Sequence, residues 1–106
     1  MSYYVGMWAA VFDAWLSEQM AQMPGAVVLH LGCGMDSRVL RIGTGEHDWY
    51  DVDFPEVIEE RRKYYCETER YHMLGADARE AGWLEANIIL DPVFIFVFRE
   101  VCWVPR

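Results

Sequence analysis

The run Ala26-Val27-Val28-Leu29-His30-Leu31 is apolar except for one histidine, and it passes without a spacer into Gly32-Cys33-Gly34. A short continuous apolar run closed by turn residues reads as a strand covered on both faces, the habit of parallel sheets. Parallel neighbours cannot be joined by hairpins and need crossovers, usually helical. The remaining sequence supplies that alternation. From Tyr3 to Met23, Val5, Trp8, Phe12, Trp15, Leu16, Met20 and Met23 recur along one broad face. With Ser17, Glu18, Gln19 and Gln22 opposite them, this predicts an amphipathic helix, closed by Pro24-Gly25. A short helix is expected over Arg38 to Ile42, broken by Gly43-Thr44-Gly45, and a second strand over His47 to Val52. Pro55 suits the first position of a helix running to about Glu69, with Glu59 and Lys63 spaced for an ion pair. A third strand is expected over Arg70 to Leu74, a short helix from about Glu80 to Ala86, and a fourth strand over Pro92 to Phe98. This order predicts an α/β fold with right-handed crossovers, a parallel sheet of about four strands and helices on both faces.

A chain of 106 residues is expected to form one domain: an N-terminal helix over residues 1–25, a βαβ core over 26–98 and an atypical tail over 99–106. Hydrophobic residues make up 54 % of it, too many for a disordered acidic tail. A net charge of −8 argues against nucleic acid and against an anionic membrane surface, both of which call for clustered Lys and Arg. No apolar run approaches the roughly 20 residues of a membrane span, and no basic segment opens a secretory signal. A cytoplasmic location is the expectation. Cys33, Cys66 and Cys102 are too scattered for a disulfide framework or a zinc site and read as reduced thiols. His30, His47 and His72 also lack metal-ligand spacing, so no metal is expected.

The chemistry is expected where the first strand meets its glycines. Gly32 and Gly34 let the chain turn sharply and let a ligand touch backbone, although many strand–helix junctions use glycine for packing alone. Asp53 falls about 20 residues after Gly32, at the tip of the second strand, where nucleotide-binding sheets place the acid that grips ribose hydroxyls. Asp51 is read as facing away from Asp53 and as a plain surface aspartate. In Gly32-Cys33-Gly34-Met35-Asp36-Ser37 the third glycine of the dinucleotide fingerprint is missing. A pyrophosphate needs a close helix N-terminus. A sulfonium methyl donor carries no phosphate, so S-adenosylmethionine is favoured over NAD.

Val28-Leu29-His30-Leu31-Gly32-Cys33-Gly34-Met35-Asp36-Ser37-Arg38 resembles the first motif of the leucine carboxyl methyltransferase family, which includes bacterial O-methyltransferases of polyketide type. Trp49-Tyr50-Asp51-Val52-Asp53-Phe54-Pro55-Glu56-Val57-Ile58 resembles its second signature, continued by Arg61-Arg62-Lys63, and Tyr71-His72-Met73-Leu74-Gly75-Ala76-Asp77 its third-strand segment. The resemblance implies a Rossmann-like class I methyltransferase that binds S-adenosylmethionine, here a truncated member. It implies that Gly32 and Gly34 contact the methionine part, Asp53 the ribose, and Asp77 with Ala78 the adenine. Glu100 is the loosest match, to an acid facing the donor's amino group.

The family's arginine upstream of the first strand has no counterpart, since neither Arg nor Lys precedes Arg38. The resemblance implies O-methylation of a small-molecule or protein C-terminal carboxylate, or of a hydroxyl. Transfer is a direct displacement resting on alignment. A carboxylate acceptor needs no base, a hydroxyl does. No catalytic base is identified, and His72 reads as a strand residue. A fourth strand left at the sheet edge would be a site for a homodimer or a partner chain. The competing reading is a non-catalytic Rossmann-like remnant, or an interaction module that binds a nucleoside weakly.

Overall fold

The computed structural model describes residues 3–77, 79, 80, 82, 94–98 and 101–103. In chain order these form α1 (Tyr3–Gln22), β1 (Val27–Leu31), α2 (Arg38–Ile42), β2 (Trp49–Asp53), α3 (Pro55–Arg61), β3 (Tyr71–Gly75), β4 (Phe94–Phe98) and β5 (Val101–Trp103). One sheet runs β3-β2-β1-β4-β5. β2 and β4 flank β1, and β3 pairs with β2, all parallel, whereas β5 returns antiparallel on β4. The chain therefore steps outward from β1 through β2 to β3, then crosses back to β1's other side. In doubly wound sheets the crevice at such a reversal, beyond the carboxyl ends of the strands, is where ligands sit. Gly32 stands there.

Register follows side-chain periodicity. His30 is opposite Asp51, and Asp51 opposite Met73. Val28, Trp49, Tyr71, Met73, Ile95 and Val97 share one face and pack with Phe12, Leu16 and Met20 of α1, Val39 of α2 and Ile58 of α3. Val27, Leu29, Leu31 and Val52 form a second cluster on the other face, with Tyr50, Leu74 and Ala76 against it. Among the described residues, then, the three helices feed one face. The helix expected to start at about Glu80 falls mostly outside the described residues. So do the side chains of Val5 and Trp8 in the expected α1 stripe; within that stripe Trp15 is 43 % exposed. α2 is bolted to α1 by charge, since Arg38 and Arg41 each place Nε on Asp13, at 2.8 and 2.6 Å. No described helix is long and apolar enough to cross a membrane.

Four expectations need correction. α3 ends at Arg61 rather than near Glu69, because the following segment is used to finish β3. Thr68 Oγ1 accepts the Tyr71 N–H (3.0 Å), Glu67 accepts the Met73 N–H (2.8 Å), and Arg62 donates to the Met73 carbonyl (3.0 Å). These side chains occupy backbone groups that an edge strand would otherwise offer to another chain. Lys63 pairs with Glu60 at 2.8 Å instead of Glu59. β4 is no edge, since β5 covers it, and the part of the supposed tail at Val101–Trp103 belongs to the sheet. Lastly, Asp51 does not oppose Asp53: strand residues two apart point the same way.

Candidate donor site at the ends of the first two strands

Both glycines after β1 adopt left-handed backbone, Gly32 at φ 70° and Gly34 at φ 53°, a region that side chains disfavour. That geometry folds the loop across the tip of β2. The Gly32 and Cys33 N–H groups both donate to the Val52 carbonyl, at 2.8 and 3.3 Å, and Asp36 N–H closes the turn on the Cys33 carbonyl at 3.0 Å. Gly34 N–H donates to Asp53 Oδ2 at 2.9 Å. The other carboxylate oxygen accepts the Phe54 N–H at 2.7 Å. A carboxylate offers about four lone-pair directions, so Asp53 keeps roughly two for a ligand.

Asp53 also lines a cavity of about 140 Å³ together with Gly32, Val52, Phe54, Ala76 and Asp77. Arg79 closes its rim: the guanidinium holds Asp77 at 2.7 Å and lies 5.5 Å from the Phe54 ring centre. The Arg79 side chain and backbone N–H hold the Asp77 carboxyl down to about 2. A larger hollow of about 300 Å³ lies at the opposite ends of the strands, among Met20, Pro24, Ile42 and His47. Ligands of parallel α/β sheets bind at carboxyl ends, which makes the smaller cavity the candidate.

Beneath the loop lies a cluster that sequence reasoning missed. Asp51 and Arg61 are both 0 % exposed and meet at 2.6 Å. Asp51 Oδ2 also accepts the Tyr71 hydroxyl at 2.7 Å, while Oδ1 accepts Trp49 Nε1 at 2.8 Å and lies 3.1 Å from His30 Nδ1. Burial pushes the Asp51 carboxyl pKa up, but His30, Arg61 and Tyr71 outweigh it and leave the group below its ordinary value. The same burial and the Asp51 charge raise the Cys33 thiol to about 12, so Cys33 stays protonated and inert. Arg61 reaches past Asp51 to the Gly34 carbonyl at 3.0 Å. Tyr65, stacked 4.0 Å under that guanidinium, donates to the Met35 carbonyl at 3.0 Å. A charged residue three positions after Ile58, on the buried side of α3, was the legible sign.

Of the expected site residues, the structure brings Gly32, Gly34, Asp53 and Asp77 to one end of the sheet. Ala78 and Glu100 lie outside the described residues. The histidines take structural places: His30 on Asp51, His47 Nδ1 at 2.7 Å from the Ala26 carbonyl, His72 stacked on Tyr50 at 4.6 Å. Cys33 and Cys66 are free thiols. Among the described residues no His, Cys, Asp and Glu cluster could hold a metal.

The chain is similar to known methyltransferases. The tetracenomycin polyketide synthesis O-methyltransferase TcmP of Streptomyces glaucescens is 44 % identical over 78 residues, covering 73 % of this chain and 29 % of TcmP. The S-adenosyl-L-methionine-dependent methyltransferase dpfgK of Gibberella zeae is 35 % identical over 100 residues, covering 86 % of this chain and 33 % of dpfgK. The chain thus spans about a third of the length of these curated relatives. No solved structure matches it. The profile of one family, leucine carboxyl methyltransferase, matches residues 1–86, which takes in the glycine loop, Asp51, Asp53, Arg61 and Asp77, and to that family the chain belongs.

Proposed function

We propose that this chain forms the donor-binding part of an S-adenosylmethionine-dependent O-methyltransferase. The observation that carries the reading is the Asp53 carboxylate, tied to the Gly34 N–H and lining one cavity with Gly32. The pair of acceptor directions left on Asp53 suits a ribose 2′,3′-diol. A Cβ on Gly32 would meet nothing within 4 Å, so the loop leaves open space for a ligand to approach backbone. Phe54 and Ala76 offer apolar contact to a purine, with Asp77 as acceptor for its exocyclic amine. At about 140 Å³ the cavity is smaller than the roughly 300–1,000 Å³ of a complete small-molecule cleft, and so accounts for the nucleoside end only. Glu100, and Ala78 beside the adenine, belong to the same proposal.

The bound donor would supply an electrophilic methyl group. What the described residues contribute is alignment. Asp77, held near 2 by Arg79, is a poor proton acceptor, and Asp53 is committed to two backbone N–H groups. Walls of this kind suit an acceptor that arrives already ionised, and a carboxylate on a small molecule or a protein C-terminus fits better than a hydroxyl.

Thermal unfolding in the presence of S-adenosylhomocysteine tests the reading. A ligand at a hundred times its Kd stabilises by about 2.7 kcal/mol, which raises the melting temperature of a domain of this size by roughly 10 °C or more. NAD at the same concentration is expected to leave it unchanged. Absence of any shift with saturating S-adenosylhomocysteine would dismiss donor binding by this chain.

A further inference from the structure

We infer that Arg61 and Tyr65 are positioning residues that shape the amino-acid end of the donor site by clamping consecutive carbonyls of the glycine loop. The inference rests on the donor reading above and assigns to that site a pair of residues with no place in it so far. Arg61 spans two partners with one planar fork, Nη2 on Asp51 at 2.6 Å and Nη1 on the Gly34 carbonyl at 3.0 Å, while its Nε meets the Tyr71 hydroxyl at 3.1 Å. An arginine that only neutralised Asp51 would have no need of the loop. Tyr65 takes the next carbonyl, Met35, at 3.0 Å, and its ring supports the guanidinium from below.

The consequence for the loop is geometric. The peptide bonds among the described residues are trans, and in a trans peptide the next residue's N–H points opposite to the carbonyl. Drawing the Gly34 carbonyl toward Arg61 turns the Met35 N–H away from α3. Val52 and Ala76, in the cluster on the sheet face opposite α3's packing, line the candidate cavity, and Asp53 lines it from the strand tip. The clamp thus aims the Met35 N–H toward the ligand side, as a donor for the carboxylate of an amino-acid group.

Calorimetric titration of the unsubstituted chain, Arg61→Lys and Tyr65→Phe with S-adenosylhomocysteine and with adenosine separates positioning from mere support. Adenosine has the ribose and base but no amino-acid part. Tyr65→Phe is expected to weaken S-adenosylhomocysteine by about threefold to tenfold, the worth of one hydrogen bond, with adenosine changed by less than about twofold. Arg61→Lys keeps the charge beside Asp51 but not the fork, and is expected to show the same selective loss, larger in size. Tyr65→Phe removes only a solvent-exposed hydrogen bond and keeps the test open should Arg61→Lys fail to fold. Equal weakening of both ligands, or no change in either, overturns the clamp while leaving nucleoside binding intact. If the unsubstituted chain binds neither ligand, the donor reading falls and the clamp falls with it.

Discussion

Asp51→Asn is expected to lower the unfolding free energy by about 3–5 kcal/mol, the usual result of leaving one member of a buried ion pair without its partner. The substitution is nearly isosteric, so the loss is electrostatic rather than a cavity. Four donors converge on this carboxylate, Trp49 and His30 on one oxygen, Arg61 and Tyr71 on the other. An amide turns one of those oxygens into a donor. Facing Arg61 and Tyr71, it sets N–H groups against a charged guanidinium with no route to water. Facing Trp49 and His30, it meets an indole N–H that cannot accept, and the net negative charge is still gone. Domains of this size have about 5–15 kcal/mol in total, so the variant should unfold at much lower urea. A change below about 1 kcal/mol would mean that the cluster does not hold the fold together.

The same carboxylate gives stability a dependence on pH. Its folded pKa lies below the ordinary value, so the folded state binds the proton less readily than the unfolded chain. The stabilisation is complete above the unfolded carboxyl pKa of about 3.9 and is lost as pH falls through the lower, folded value. Urea midpoints of the unsubstituted chain should fall between about pH 5 and pH 2, and Asp51→Asn should flatten that slope. An equal slope in both proteins would place the acid sensitivity elsewhere, for instance at Asp13, which Arg41 and Arg38 hold low against its partial burial.

What the sequence revealed follows from which interactions are local. β1 was legible because burial on both faces leaves an unbroken apolar run, and its registered neighbours made the glycine loop the natural ligand end. α2 matched residue for residue because glycine stops the chain whatever surrounds it. α3 was overestimated because its end is decided by long-range bonds: Glu67 and Arg62 reach back to Met73, and no helical periodicity records that. The error over Asp51 had a simpler origin, in that period two puts it on Asp53's face. What separates the two acids is depth. Asp51 lies mid-strand under α3, and Asp53 lies at the strand tip, where its lone pairs reach open space. Arg61 was overlooked because a basic run, Arg61-Arg62-Lys63, reads as solvated surface, although only its first member turns inward, at 0 % exposure.

Depth also makes Asp53 the residue whose removal should cost most in binding and least in folding. Asp53→Ala is expected to weaken S-adenosylhomocysteine by about a hundredfold or more, since each charge-assisted hydrogen bond to a ribose hydroxyl contributes about 1.5–3 kcal/mol. The loss has two sources that a single titration would mix: the diol contacts themselves, and the freeing of the Gly34 N–H, which Asp53 now holds at 2.9 Å. Comparing adenosine with 2′-deoxyadenosine separates them. The unsubstituted chain should prefer the ribonucleoside by about tenfold or more, because one hydroxyl donates into a carboxylate. In Asp53→Ala that preference should vanish, whatever the loop has done to overall affinity, because the coupling energy belongs to the pair and not to either partner alone. A preference for the 2′-hydroxyl that survives Asp53→Ala would assign ribose recognition to another group. Asp53 would then serve only as the hook that holds the glycine loop over β2.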